Sequence, residues 1–355
     1  HRPRNCEIIV GRSSLPRLVH RSRARVLDAS VLVSGKKISY ARRMRFTTLL
    51  FFLLCVTAHA QTRVVGENYI ARVNDDALEV NLVNINSWAL ERNTCHVWAE
   101  QSSRWDFRDA DTSTVPFAGR LVSDVENGSV LVTNGTQLQR RSIPTGELVA
   151  DGAVENGNEL QRAVYTNGHY WLLFQKQRRL WLEEWTQELS YLRSVSLVDG
   201  RDLWKAPVIL SASSGLWVGF SVTSNSHAYS PVVARVDTDG KILEFFSWQE
   251  KGLLFALAVL GADVLISRDV PSSPFTLPVY SHIELLKPNS TPQPYFSAET
   301  NWFVDAMAVG QQGLWTAERS IHSGTGSRLR RHQAHPINEK VWPLPGGVRA
   351  LCACP

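Results

Sequence analysis

Methionine is nearly absent from this 355-residue chain: there are two, and the first is Met44. Acidic residues are scarce ahead of it, with Glu7 and Asp28 alone set against eleven Lys and Arg over residues 1–43. No apolar stretch approaches the ~20 residues that a bilayer-spanning helix needs; the longest, from Phe46 through Val56, holds 11 residues and includes two threonines. A Gly-x-Ser-x-Gly elbow, a His-Glu-x-x-His pair and a phosphate-binding loop are all missing. Apolar spacing of the helical kind is almost absent as well. A spanning helix, the best-marked hydrolase and metalloprotease chemistries and a helical fold are thereby set aside. With 44% apolar residues, 22 Gly and 16 Pro, a collagen-like or low-complexity chain is set aside too.

What is there divides by charge. Residues 44–60 carry only Arg45, and residues 61–355 hold 26 basic against 31 acidic side chains. The net charge of +5 therefore originates in the leader, and the remainder stands at −5, which argues against nucleic acid as partner. Residues 1–43 are expected to lie upstream of the true start and outside the folded protein. From Met44 the pattern of one Arg, an apolar middle and small residues at Ala58 and Ala60 reads as a secretory signal peptide cleaved after Ala60. Cys55 would suit a lipoprotein only with a small residue before it, and Leu54 is bulky. Residues 61–355 are thus expected to be an exported domain, periplasmic or extracellular, without membrane insertion.

That domain reads as all-β, with short β-branched and aromatic runs bounded by Gly, Asn, Ser and Asp. A strand, a tight turn and a second strand recur around Gly128, Gly168, Gly215, Gly261 and Gly313, at steps of 40, 47, 46 and 52 residues. Such a period suits four-stranded propeller blades. Asn127-Gly128 and Asn167-Gly168 place Asn-Gly where a two-residue hairpin demands positive φ at both central residues. Each unit then carries a second hairpin, at 138–148, 192–204, 233–242, 282–296 and 329–342. The phrase aliphatic-x-Arg-x…Asp-x-Gly-Lys/Arg-x-aliphatic, as in Val233-Ala-Arg235 followed by Asp239-Gly240-Lys241-Ile242, resembles the blade motif of the β-propeller superfamily, of the pyrroloquinoline-quinone type and NHL type. The resemblance covers most of residues 121–347. It implies the fold and assigns no active-site residue, because this scaffold hosts enzymes, assembly factors and binding platforms alike.

Five units occupy residues 121–347, leaving 61–120 and 348–355 to form a sixth blade shared between the chain ends, which removes open sheet edges. The expectation is six four-stranded blades, or seven or eight if the chain is cut short at its C-terminus. Strands are expected near 69–73, 78–85 and 95–100. A shared blade would bring Cys95 near Cys352 and Cys354; these last two sit two apart and share a strand face, so only one of them can join Cys95 in a disulfide that latches the ring.

Trp171, Trp217 and Trp315 recur in the second strands and are read as packing between neighbouring sheets. Trp181 and Trp185, with Arg178 and Arg179, look like an insertion between strands and a partner-binding loop. Asp237-Thr-Asp239-Gly240 is read as a hairpin turn, since no acid closes a calcium loop. The run Arg330-Arg331-His332 is read as part of an exposed loop. Polar residues on or beside the innermost strands, Asp124, Arg162, Asp305 and Arg349, are expected to converge on the central channel and recognise a ligand of mixed charge. The function expected is a binding or interaction module for a protein, peptide or small polar ligand. The alternative is a propeller enzyme of the lactonase or quinoprotein kind, whose funnel would need several inward carboxylates on a divalent cation or a quinone beside a stacking Trp. No cofactor is predicted beyond a possible cation, and oligomeric state is left open.

Overall fold

The computed structural model describes residues 62–353, apart from 75–76, 83–87, 92–94, 102–103, 107–119, 144, 156–157, 204–206, 224–228, 272–277, 300, 321–325 and 333–338. The leader, the signal segment with Ala60, and Cys354 lie outside the described residues. Every regular element described is a β-strand, and the fold is a β-propeller built on six four-stranded antiparallel sheets.

Five blades follow one another in sequence. The first comprises Arg120–Leu121, Ser129–Thr133, Gln137–Ser142 and Leu148–Ala153. The second comprises Glu159–Thr166, His169–Lys176, Arg179–Trp185 and Tyr191–Val198. The third comprises Val208–Ala212, Gly215–Thr223, Tyr229–Val236 and Ile242–Ser247. The fourth runs Leu254–Leu260, Asp263–Pro271, Pro278–Leu286 and Gln293–Ser297, and the fifth Trp302–Gly310, Gly313–Ser320, Ser327–His332 and Lys340–Leu344. The sixth is the shared blade: Val348–Ala353 pairs antiparallel with Thr62–Gly66, which pairs with Tyr69–Asn74 and then Ala77–Leu82.

The shared blade is narrower than expected. It takes 62–82 from the N-terminal side, whereas Trp88–Glu91, His96–Gln101 and Arg104–Asp106 form a separate three-stranded sheet. This sheet meets the shared blade where Leu90, Cys95 and Cys352 pack in one buried cluster, and it meets the first blade where the Val125 amide donates to the Leu90 carbonyl at 2.9 Å. It therefore stands between the two.

Blades are held together by apolar faces pressed between neighbours. One cluster joins Trp171, Leu180 and Leu182 of the second blade to Ile209, Val218 and Phe220 of the third. Another closes the ring, joining Trp315, Leu329 and Trp342 of the fifth to Val64, Ala71 and Leu351 of the shared blade. Each large side chain buried this way contributes about 1.5–3 kcal/mol. A strand sandwiched between two blades is buried on both faces, which is why Tyr170-Trp171-Leu172-Leu173-Phe174 is one continuous buried run. Trp171, Trp217 and Trp315 are at most 1% exposed, in keeping with a packing role. Arg235, directly across the ladder from Trp217, lies over its ring at 5.9 Å, and Arg331 repeats the arrangement over Trp315 at 5.6 Å.

Three expectations are corrected. Arg178, Arg179, Trp181 and Trp185 do not form an inserted loop: Arg179–Trp185 is the third strand of the second blade, and the turn before it holds Arg178. Leu180 and Leu182 are fully buried, Trp185 is 5% exposed, and Trp181 stacks on Phe174 at 5.6 Å, so the tryptophans serve the core. Arg178 and Arg179 are exposed and face Asp202 and Asp199 across the blade's outer end. The 192–204 segment is accordingly one outermost strand, Tyr191–Val198, plus a connection. Arg330, Arg331 and His332 are likewise strand residues, and both arginines are buried. Glu299 and Glu339 neutralise Arg330, and the Arg331 guanidinium lies over Trp315 at 5.6 Å and Trp342 at 5.9 Å. The Asp237 turn is as read, with Asp237 Oδ1 accepting the amides of Asp239 at 3.0 Å and Lys241 at 2.7 Å.

Candidate functional site

The innermost strands lie side by side around a central channel. Glu159–Thr166 neighbours Val208–Ala212, then come Leu254–Leu260, Trp302–Gly310 and Val348–Ala353. On the other flank the Ala163 amide donates to the Val122 carbonyl at 2.6 Å, tying the first blade to the second. The channel encloses a cavity of about 660 Å³. Asp124, Arg162, Asp305 and Arg349 all line it, so the four residues singled out from sequence converge on one space.

Four innermost strands share a local irregularity that aims side chains inward. The ladder skips one residue between Leu160 and Arg162, between Leu254 and Ala256, between Val304 and Ala306, and between Val348 and Ala350. Gln161, Phe255, Asp305 and Arg349 are the skipped residues. In the first three the skip comes at the same ladder step counted from the inner hairpin, so these β-bulges sit at one level of the channel. A bulged residue has no ladder partner and is turned out of the pleat, the usual device for re-aiming a side chain beside a site. All four line the cavity. The first blade departs differently: Ser123 Oγ accepts the Leu131 amide at 2.9 Å in place of a carbonyl, and Asp124 follows nearer the hairpin end, with Glu126 beyond it.

The charges on the bulged residues are unevenly answered. Asp305 is held by Arg319, with Nε at 2.9 Å and the second contact at 3.2 Å. Burial pushes the Asp305 carboxyl above the usual range against the pull of Arg319, and the hydrogen bond to Asp305 raises the Arg319 guanidinium in turn. Arg319 also lies over Phe303 at 5.6 Å, and Phe303 sits 6.0 Å from Phe255. Arg349 is exposed to the channel, and among the described residues it makes no hydrogen bond or ion pair. Among them, too, no three His, Cys, Asp or Glu side chains converge as a metal-ligand set.

Gln161 and Phe255 escaped the sequence reading. The inner-strand polar residues were visible as polar interruptions of apolar runs, but a bulge is defined by its partner strand. Only the spacing of buried Leu160 and Ala163, three apart where a regular strand would place two, hinted at it.

No family model and no curated protein sequence matches this chain. Among solved structures it is similar to BamB from Moraxella catarrhalis, at 11% identity and a TM-score of 0.45, over 82% of this chain and 85% of that one. It is also similar to the dihydro-heme d1 dehydrogenase NirN in complex with DHE, at 10% identity and 0.47, over 82% and 74%. Hsv2 from Kluyveromyces lactis aligns at 9% identity and 0.48, over 84% and 96%. These likenesses are of fold alone.

Proposed function

We propose that the protein is an exported binding module that takes a small polar or peptidic ligand in its central channel. The observation that carries this is the convergence of Asp124, Arg162, Asp305 and Arg349 on one cavity of about 660 Å³, within the ~300–1,000 Å³ common for small-molecule sites. Six blades fix the channel wall, and the bulges supply polar groups that a regular ladder would have turned aside. The signal-peptide pattern from Met44 to Ala60 supports export, and the first residue of the exported product is then Gln61.

A channel-plugging variant tests the site. Gln161→Trp places an indole in the cavity from a position with no ladder partner. Ligand-observed NMR with a panel of small polar fragments and short peptides should find binders to the wild type that Gln161→Trp no longer retains. Binders indifferent to the plug, or a panel without binders, would overturn the channel as the site. N-terminal sequencing of the exported protein checks cleavage after Ala60.

A further inference from the structure

We infer that the channel is built for a monocarboxylate with an apolar body, a proposal that rests on the channel being the binding site. Arg349 is the anchor. Its guanidinium is a permanent cation with a planar fork of donors suited to a carboxylate, and it reaches the cavity from a bulge without an ion-pair partner among the described residues. Arg319 is spent on Asp305, and Arg162, the other guanidinium on the wall, is engaged within the protein, so Arg349 is the cation left to a ligand. Phe255, bulged on the fourth blade, supplies an aromatic wall to the same cavity, backed by Phe303.

The sign and size of the ligand follow. The wall also carries Asp124, Glu126 and Arg162, each engaged within the protein, and Asp305, paired with Arg319, so Arg349 offers one unspent positive charge and a monoanion matches it better than a dianion such as a phosphate monoester. Phe255 is the apolar side chain that lines the cavity from a bulge, so the body that accompanies the carboxylate is aryl.

Phenylacetate, with phenylacetamide and phenethylamine as its neutral and cationic counterparts, separates the alternatives. Calorimetric titration of the full chain should show phenylacetate binding, with Arg349→Gln weakening it about tenfold or more. The amide and the amine should bind the wild type correspondingly less well. Phe255→Ala should weaken phenylacetate and its amide alike, because it removes stacking area and no charge. Lys241→Gln, on an exposed turn of the third blade, serves as control and should change nothing. Phenylacetate affinity unchanged by Arg349→Gln, or an amide or amine that binds as well, would overturn the carboxylate assignment. If phenylacetate fails while other ligands are still lost in Gln161→Trp, the carboxylate inference falls and the channel stands. If nothing responds to the plug, both fall.

Discussion

His332 shows how much of this protein's charge is managed inside its sheets. Its Nδ1 is 3.1 Å from Glu339, its Nε2 is 2.8 Å from Thr316 Oγ1, and the Phe296 ring lies at 4.3 Å. Burial first, and then the cation of Arg330, hold the imidazole down at about 4 in spite of Glu339. A histidine whose pKa is lowered on folding binds fewer protons in the native state. Its contribution to stability is therefore whole above the unfolded value of 6.5 and is lost as pH falls toward about 4. Asp269, raised to about 6 mainly by burial, works in the opposite sense: its contribution is present below its ordinary 3.8 and is lost as pH rises through about 6. Comparing His332→Gln with the wild type isolates the histidine, because Asp269 is common to both. Urea unfolding from pH 7 to 4 should show the wild type losing on the order of 3 kcal/mol more than the variant. Parallel pH profiles would mean that His332 does not titrate in this window.

At the scale of the strand and the turn, the hairpin glycines differ in what they tolerate. Gly168 follows Asn167 in a turn with φ of 88° and 52°, and nothing lies within 4 Å of where its Cβ would stand. Gly215 has φ of 125°, and a Cβ there would meet the Val236 carbonyl oxygen at 2.6 Å. Gly168→Ala should therefore cost about 1 kcal/mol, the conformational penalty alone, and Gly215→Ala clearly more, since backbone cannot move aside. Urea midpoints that rank the two equally would contradict this. The same contrast explains what was legible in the sequence. Turns at Gly128, Gly168, Gly215, Gly261 and Gly313 announced the blades because positive φ leaves few residue choices. The strand Arg179–Trp185 was hidden because it opens on Arg179, next to Arg178 in the turn, and carries Trp181, two glutamates and Trp185, and the blade motif at Asp199-Gly200 drew the second hairpin one strand too late. Inner-strand polar residues were legible as interruptions; the bulges that aim them, set by ladder partners far along the chain, were not.

The whole ring depends on one non-local pairing. Val348–Ala353 supplies the innermost strand of a blade whose other three strands come from 62–82, and it also contributes Leu351 to the cluster with Trp315 and Cys352 to the cluster with Leu90. Without it Thr62–Gly66 becomes an open edge with unpaired amides and carbonyls, the kind of surface that recruits another chain. A chain ending at Gly347 should self-associate and unfold with a broader, earlier urea transition, read by light scattering and circular dichroism. A monomer with an unchanged midpoint would show that closure is dispensable. The cysteines bear on the same joint. Cys95 and Cys352 are buried together with Leu90 where the three-stranded sheet meets the shared blade, and Cys354 follows two residues on. We propose that Cys95 bonds to Cys352 or Cys354, a covalent latch worth about 2–4 kcal/mol because it restrains nearly the whole chain in the unfolded state. Intact mass of the protein should then rise by two hydrogens on reduction, with a lower urea midpoint, and peptide mapping would name the partner. An unchanged mass would leave closure to the strand pairing and the buried side chains alone.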